Sequence, residues 1–190
     1  MWTLAERVVF MLVCESREEF NAVLAELKLT ACPHCKSVGN LIRHGYLRGY
    51  DEKHPHRKTV RAQRIFCSNR GRVNGCGRTF GVWWADKVRR LFLTATSLWT
   101  FLKQAVTTGN KLQAFRGLNS GLSDSAPYRI WKRFREAQSA IRTALNPLCQ
   151  PPNVVSDQPT AFTIAFVETA FAEHPSPIVA FQVKLQTSFM

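Results

Sequence analysis

The sequence predicts an α+β fold in which a small β-rich module is flanked by helices and followed by a helical segment and a short α/β tail. Hydrophobic residues make up 45% of the chain, a globular value. Glycines and turn residues interrupt short apolar runs early in the chain, whereas apolar residues later recur at helical spacing. These observations divide the chain into residues 1–30, 31–84, 85–150 and 151–190.

Two helices are predicted in the first segment. Residues 2–13 fit a short helix, and Ser16 followed by Glu19 matches a capping box that opens a second one. The longest apolar run, residues 8–14, is far shorter than the ~20 residues that a membrane helix needs. We therefore expect a cytoplasmic protein with no membrane partner, in a compartment where thiols stay reduced.

The second segment is predicted to contain short strands. Residues 40–43, 59–66 and 78–83 form runs that suit strands, and the second of them is rich in β-branched and aromatic side chains. Between the first two runs, the polar stretch 49–58 predicts a hairpin loop.

Helical spacing dominates the third segment. Two short apolar stripes predict two helices, the first ending at Gly109, and residues 119–123 form a turn. A long helix follows, with Ser123 or Ser125 as its cap, and the Asn146-Pro147 pair ends it.

The fourth segment is predicted to hold one helix and one strand. Residues 160–172 fit the helix, and residues 179–185 alternate apolar with polar side chains, as a strand does.

Four cysteines are predicted to form one structural zinc site: Cys32, Cys35, Cys67 and Cys76. Cys32 and Cys35 form a CxxC turn that places two thiolates on one side of a metal ion, and a second turn completes a zinc-ribbon arrangement. Eight residues separate Cys67 from Cys76, and their glycines and asparagines allow this stretch to loop out. A closed shell of four thiolates leaves no position for a substrate, so the predicted zinc is structural.

Two other interpretations of the cysteines remain open: unrelated buried thiols, and a redox-active CxxC pair of the thioredoxin type. Against the second, no βαβ pattern surrounds the pair. Cys14 and Cys149 lie outside the ribbon, in predicted helical surroundings, and are interpreted as structural.

The charge of the chain indicates a polyanionic partner, most often nucleic acid. The formal net charge is +13, and residues 28–150 carry an excess of 18 positive charges between mildly acidic ends. We expect phosphate contacts from basic residues of the ribbon: Arg43, Arg48, Arg57, Lys58, Arg61, Arg64, Arg70, Arg72 and Arg78.

The long helix has two opposed faces. With about 100° per residue, Ile130, Phe134 and Ile141 share one side. The opposite side carries polar, aromatic and basic residues: Ser125, Tyr128, Arg129, Lys132 and Arg135. Two short helices and a glycine-containing turn precede it, so the segment matches a helix-turn-helix with residues 125–136 as the recognition surface. The alternative is an ordinary amphipathic helix of a small bundle.

These motifs together resemble the zinc-ribbon plus helix-turn-helix region of bacterial insertion-sequence transposases and transposase-like proteins. The similar stretches, within about residues 30–145, are CPHC, GNLIRHGYLRGY, RAQRIFC, CGRTF, SLWTFLKQ and YRIWKRFREAQSAIRTAL. The resemblance implies binding to double-stranded DNA at element ends or at a nearby operator. It also implies a separate transposase subunit as a possible partner.

The chain departs from that pattern at two points. Its second cysteine turn is expanded, and no catalytic nuclease domain follows. A two-metal core of the RNase-H type needs three carboxylates brought together on a βαβ-rich scaffold, which the forty residues after 150, with only Asp157, Glu168 and Glu173, cannot build. We therefore expect an accessory, regulatory or truncated DNA-binding protein with no enzymatic activity of its own.

Two further classes remain as alternatives. The first is a zinc-ribbon scaffold that binds RNA or a protein. The second is a tyrosine nuclease acting on single strands, because His54-Pro55-His56 is a His-x-His motif and Tyr46, Tyr50 and Tyr128 are potential nucleophiles. Proline at the middle position, in a polar loop, disfavours this nuclease.

Overall fold

The computed structural model describes residues 11–71, 74–153 and 158–190. The chain forms two compact units. The sheet unit comprises the chain up to Arg48 together with Val60–Trp84, and the helical unit comprises Gly49–Thr59 together with Ala85–Met190. No helix in the described ranges is long and apolar enough to cross a membrane.

In the part of the chain that the structure describes, four strands form one mixed sheet with the order β1-β4-β3-β2. Their bounds are Met11–Cys14 (β1), Leu41–Tyr50 (β2), Lys58–Cys67 (β3) and Thr79–Trp84 (β4). Strand β1 runs parallel to β4, with Met11 opposite Gly81. Strand β3 runs antiparallel to β4, with Ile65 opposite Phe80. The three strands predicted in the second segment are therefore present, and each is longer than, or as long as, its sequence run.

The prediction of a helix over residues 2–13 is wrong for residues 11–13, the part of it that the structure describes. Residues 2–10 lie outside the described ranges, and Met11–Cys14 is strand β1. The apolar run that contains β1 suits a buried strand as well as a buried helix, and pairing with β4 decides in favour of the strand.

Helix α1, Arg17–Ala25, begins at the predicted capping box. The backbone N–H of Glu19 donates to Ser16 Oγ at 3.0 Å, and the Glu19 carboxylate accepts from the N–H of Glu15 at 2.8 Å. The box therefore satisfies two backbone donors at the helix start, which ordinarily contributes about 1 kcal/mol.

The core of the sheet unit is small and includes cysteine side chains. The Phe20 ring stacks on Trp84 with centroids 4.2 Å apart. The buried residues of this core are Cys14, Phe20, Leu24, Leu27, Cys32, Leu41, Ile65, Cys67, Phe80 and Val82. Two of the predicted metal ligands, Cys32 and Cys67, thus also belong to the hydrophobic core.

The described residues of the helical unit form five helices: α2 Ala95–Thr108, α3 Lys111–Arg116, α4 Ala126–Leu145, α5 Pro159–Ala170 and α6 Pro177–Leu185. Gly109 ends α2 in the left-handed conformation, with φ of 68°, as the sequence predicts. Ser125 occupies the N-cap position of α4, although its side chain makes no capping hydrogen bond.

The predicted strand over residues 179–185 is wrong, because this segment is helix α6. Pro177 at the first turn fixes a φ suited to a helix start. The residues from Pro177 to Gln182 are all buried, so no solvent-facing side reveals the helical period. The polar Gln182, which suggested the outer face of a strand, is itself fully buried.

Aromatic rings fill the core of the helical unit. Phe101 of α2 meets Phe115 of α3 edge-on, with centroids 5.7 Å apart. Phe134 of α4 stacks with Phe189 near the carboxyl end at 6.3 Å, and Phe181 of α6 meets Phe189 at 5.2 Å. The tail after residue 158 is therefore an integral part of this core.

Gln182 is expected to stabilise the helical unit through its buried amide. Its Nε2 donates to the carbonyl of Ala85 at 2.7 Å, and its Oε1 accepts from the N–H of Phe189 at 3.2 Å. We expect Gln182→Ala to lower the free energy of unfolding by about 1–3 kcal/mol, because it leaves buried backbone groups without partners. Denaturant titration measures the loss, and the exposed Gln104→Ala is the control; equal stabilities of both variants would contradict the role of the amide.

Candidate metal centre and basic surfaces

The first cysteine turn is closed by two backbone hydrogen bonds. The N–H of Cys32 donates to the carbonyl of Ser37 at 2.8 Å, and the N–H of Lys36 donates back to the carbonyl of Cys32 at 2.8 Å. Lys36 takes a left-handed conformation with φ of 64°. This tight turn directs the Cys32 and Cys35 sulfurs to the same side.

The second cysteine turn repeats that pattern. The N–H of Cys67 donates to the carbonyl of Arg78 at 2.9 Å, and the N–H of Gly77 donates to the carbonyl of Cys67 at 3.0 Å. Gly77, the residue after Cys76, is left-handed with φ of 71°. The two turns therefore share one hydrogen-bond scheme, although two residues lie between the cysteines in one and eight in the other.

The second turn can contain eight residues between its cysteines because the first of them, Ser68, lies against the last, Gly75. A Cβ atom on Gly75 would lie 2.0 Å from the carbonyl oxygen of Ser68 and 2.8 Å from Cys67 Sγ. Ser68 and Gly75 thus take the two middle positions of an ordinary cysteine turn, and the six residues between them in the sequence are an insertion into that turn. Gly75 is required there because no side chain fits between the two backbone segments.

The four sulfur atoms form one cluster. Cys32 Sγ lies 3.8 Å from Cys76 Sγ, and Cys35 Sγ lies 3.7 Å from Cys67 Sγ. All four ligand atoms lie within 4.8 Å of one another. Sulfurs at ~2.3 Å from a tetrahedral Zn²⁺ are about 3.8 Å apart, so the cluster can hold a metal ion of that kind. The four predicted residues are thus positioned together to hold a metal ion, and the assignment of that ion as a structural zinc stays a prediction.

The thiols of the cluster differ in acidity. Burial raises the pKa of Cys32 to about 12 and also raises the pKa of Cys76. Hydrogen bonds from the Ser37 hydroxyl and backbone lower the pKa of Cys35 to about 6. The N–H of Cys76 donates to Cys67 Sγ at 3.4 Å. Four thiolates this close repel one another, and a divalent cation supplies the charge that stabilises them together.

The donor set consists of cysteines alone among the described residues. His34 is half-buried within the first turn, and His54 and His56 are exposed in the loop between β2 and β3, in the other unit. Cys14 is buried in strand β1 rather than in the predicted helix, and burial raises its pKa to about 11. Cys149 is half-buried after α4.

The predicted phosphate-binding residues of the ribbon are mostly exposed. Seven of them lie on the surface: Arg43, Arg48, Arg57, Lys58, Arg64, Arg70 and Arg78. Arg61 is only 6% exposed, so its side chain is not displayed on the surface. Arg72 lies outside the described residues. Arg57 and Lys58 belong to the helical unit, because the loop between β2 and β3 clusters with it.

Helix α4 shows both predicted faces. Ile130 is 6% exposed, and Phe134 and Ile141 are buried beneath the helix. On the opposite side, the Tyr128 side chain is 55% exposed. Ser125, Arg129, Lys132 and Arg135 are exposed as well. The predicted recognition surface therefore lies on the protein surface as one continuous helix face.

Three arginines beside this face were not predicted from the sequence: Arg89, Arg90 and Arg133. Arg90 and Arg133 line a cavity of about 230 Å³ together with Arg129. Its apolar lining includes Leu91 and Phe92. Arg133 donates to the carbonyl of Arg90 at 3.0 Å. Burial, followed by the charge of Arg90, lowers the pKa of both Arg89 and Arg133. The Arg89-Arg90 pair in the sequence was the available signal.

Comparison of the chain with protein-family models, with curated proteins and with solved structures found no match.

One metal ion per chain is expected at the cysteine cluster. Replacing Cys67 with serine removes a buried ligand and should abolish stoichiometric metal binding, because three thiolates bind far more weakly than a complete tetrahedral set. Cobalt substitution followed by visible spectroscopy measures the thiolate environment. Cys149→Ser, outside the cluster, should retain both metal and spectrum; an unchanged spectrum in Cys67→Ser would contradict the site.

Gly75→Ala is expected to weaken metal binding although it changes no ligand. The new methyl group would lie 2.0 Å from the Ser68 carbonyl oxygen, so the second turn must open, at a cost of roughly 1–3 kcal/mol. Gly117→Ala is the control, because Gly117 has a φ of −62° and a Cβ there would meet its nearest atom at 3.5 Å, an ordinary van der Waals contact. Competition with a chromophoric chelator measures affinity, and equal affinities of the two variants would contradict this account.

Proposed function

We propose that this protein binds double-stranded DNA through helix α4 and the basic ribbon surface, and that zinc in the four-cysteine cluster is structural. The observation that carries the proposal is that α4 has one buried, apolar side and one exposed side with basic residues. Its buried side packs against the helical core, which leaves Tyr128, Arg129, Lys132 and Arg135 displayed in one row. A helix of this kind fits the major groove of B-DNA.

The elements before α4 support a helix-turn-helix. Helix α2 has 14 residues and α3 has six, and the two pack through Phe101 and Phe115. Residues 117–125 connect α3 to α4. Arg116 at the end of α3 donates to Asp124, just before α4, at 2.6 Å. The pair is exposed and contributes little stability, but it links the two sides of the turn.

Two kinds of contact are expected from the two basic surfaces. Arginine and lysine side chains on α4 can donate to base edges, which gives sequence preference. The exposed arginines of the ribbon can contact phosphates, which gives affinity without preference. A structural zinc suits this division, because a four-thiolate site fixes the ribbon without adding an open coordination position.

The resemblance to insertion-sequence transposases gives the proposed setting. In that setting the DNA sites are the ends of an element or an operator close to it, and a separate transposase subunit supplies the chemistry of strand transfer. The protein then acts as an accessory or regulatory factor, or is a truncated relative that retains DNA binding.

One structural feature favours a second candidate, a zinc-ribbon scaffold that binds single-stranded RNA. Strand β2 is at the edge of the sheet, and the Tyr46 side chain on it is 56% exposed. Exposed aromatic rings beside arginines can stack on unpaired bases. Competition between duplex DNA and single-stranded RNA separates the two candidates.

Lys132 and Arg135 are expected to affect binding in a sequence-dependent way. Loss of a bidentate base contact typically costs about 1–3 kcal/mol on a cognate site and little on random DNA. Alanine variants should therefore lose affinity for a selected duplex but not for a scrambled one. Fluorescence anisotropy over a salt series provides the measurement.

Arg64→Ala is the matched control from the ribbon. It should weaken both duplexes equally and reduce the salt dependence by about one unit of slope for the lost phosphate contact. If Lys132→Ala and Arg135→Ala also weaken both duplexes equally, α4 is a phosphate clamp and the helix-turn-helix assignment fails.

A further inference from the structure

The loop between β2 and β3 belongs to the helical unit rather than to the sheet unit. Residues Gly49–Thr59, here called the hairpin tip, cluster with Ala85–Met190. Its sequence includes the His54-Pro55-His56 motif, to which the proposed function assigns no role.

Glu52 attaches the hairpin tip at two points. Its carboxylate accepts from the N–H of Thr94 at 2.8 Å, at the N-cap position of α2. Its backbone carbonyl accepts from the N–H of Gly121 at 3.2 Å, in the turn before α4. Glu52 is 9% exposed, so its hydrogen bond to Thr94 is partly shielded from solvent.

Gly121 permits close approach of the tip to that turn. A Cβ atom there would lie 2.7 Å from the Cγ and Cδ atoms of Pro55 and 3.3 Å from the carbonyl oxygen of Lys53. On the other side of the tip, the Tyr50 ring meets Phe92 edge-on at 5.7 Å. The tip therefore rests directly on the segments that precede α2 and α4.

Hydrogen bonds within the tip hold its shape. Asp51 Oδ1 accepts from the N–H groups of Lys53 and His54 at 3.0 and 3.1 Å, and these bonds lower the pKa of Asp51. The N–H of Arg57 donates to the carbonyl of His54 at 2.8 Å. The backbone is thus ordered before any ligand arrives, which reduces the entropy lost on binding.

The exposed side chains of the tip are almost all basic or polar. Both of its acids are engaged, Glu52 in the attachment to α2 and Asp51 in the turn. The exposed cationic or imidazole groups are Lys53, His54, His56, Arg57 and Lys58. Pro55 packs against Gly121, while the histidines on either side of it are exposed.

We infer that the hairpin tip is a wing: a second DNA-contacting element that lies along the phosphate backbone beside the groove occupied by α4. This inference rests on the proposed function and assigns the phosphate-binding surface next to the turn. The tip is attached to that turn, so a duplex that seats α4 brings its flanking phosphates to the basic side chains. In the His-x-His motif, Pro55 then anchors the tip to the turn, and the two exposed histidines contact phosphates rather than a metal ion.

Single substitutions of Lys53, Arg57 and Lys58 by glutamine test the wing. Each should weaken binding to selected and scrambled duplexes alike, by roughly fivefold to tenfold at 0.1 M salt, and reduce the salt slope by about one unit. The ratio of the two affinities should stay unchanged. Ethylation interference should lose a contiguous group of phosphates at one edge of the site.

The control is Lys184→Gln, an exposed lysine on α6 with the same change in charge. Failure of the wing and failure of the proposed function give different results. If the unaltered protein binds no duplex, both are overturned. If it binds, but the three tip variants behave like Lys184→Gln, the wing alone is overturned.

A second test uses the contact between Gly121 and Pro55. Gly121→Ala should push the tip away from the turn and weaken DNA binding, because its Cβ overlaps the proline ring. Adding Pro55→Ala removes that ring and should restore at least half of the lost affinity. Circular dichroism checks that both variants fold; folded Gly121→Ala protein with unchanged affinity would contradict a positioned wing.

Discussion

The distance constraint imposed by four clustered sulfurs governs the sheet unit. With all ligand atoms within 4.8 Å, the end of β3 at Cys67 is fixed beside the turn that precedes β2. The second turn also fixes the start of β4, because Cys76 lies three residues before Thr79. The buried core of this unit is small, so a bound metal would contribute a large share of its folding free energy.

Local signals were sufficient where a few neighbouring residues determine the structure. The capping box at Ser16, the left-handed Gly109 and the CxxC turn at Cys32 each depend on contacts within five residues, and all were predicted. The cysteine cluster is not local, but tetrahedral coordination allows few alternatives once four thiols are assumed to share an ion. Its expanded second turn was acceptable on sequence grounds because Gly75 and Gly77 flank Cys76.

Prediction failed where long-range packing decides between two patterns. Strand β1 exists because Met11 pairs with Gly81, a partner 70 residues away that no local window contains. Helix α6 was mistaken for a strand because Gln182 is polar but buried, with its amide bonded to Ala85 and Phe189. Arg61 was wrongly predicted to be a surface residue, because the residues next to it in the sequence give no sign that its charged side chain is buried.

The positive charge around the cysteines exceeds what a metal site requires. Four thiolates with one Zn²⁺ carry a net charge of −2, which nearby cations such as Lys36 and Arg78 can offset. Within the sheet unit, residues 28–48 and 60–84 contain nine basic side chains and no acidic ones. About seven positive charges therefore remain when zinc is bound, and most of the ribbon arginines are exposed. Such a surplus repels itself in the folded state, and a polyanion such as DNA relieves that repulsion on binding.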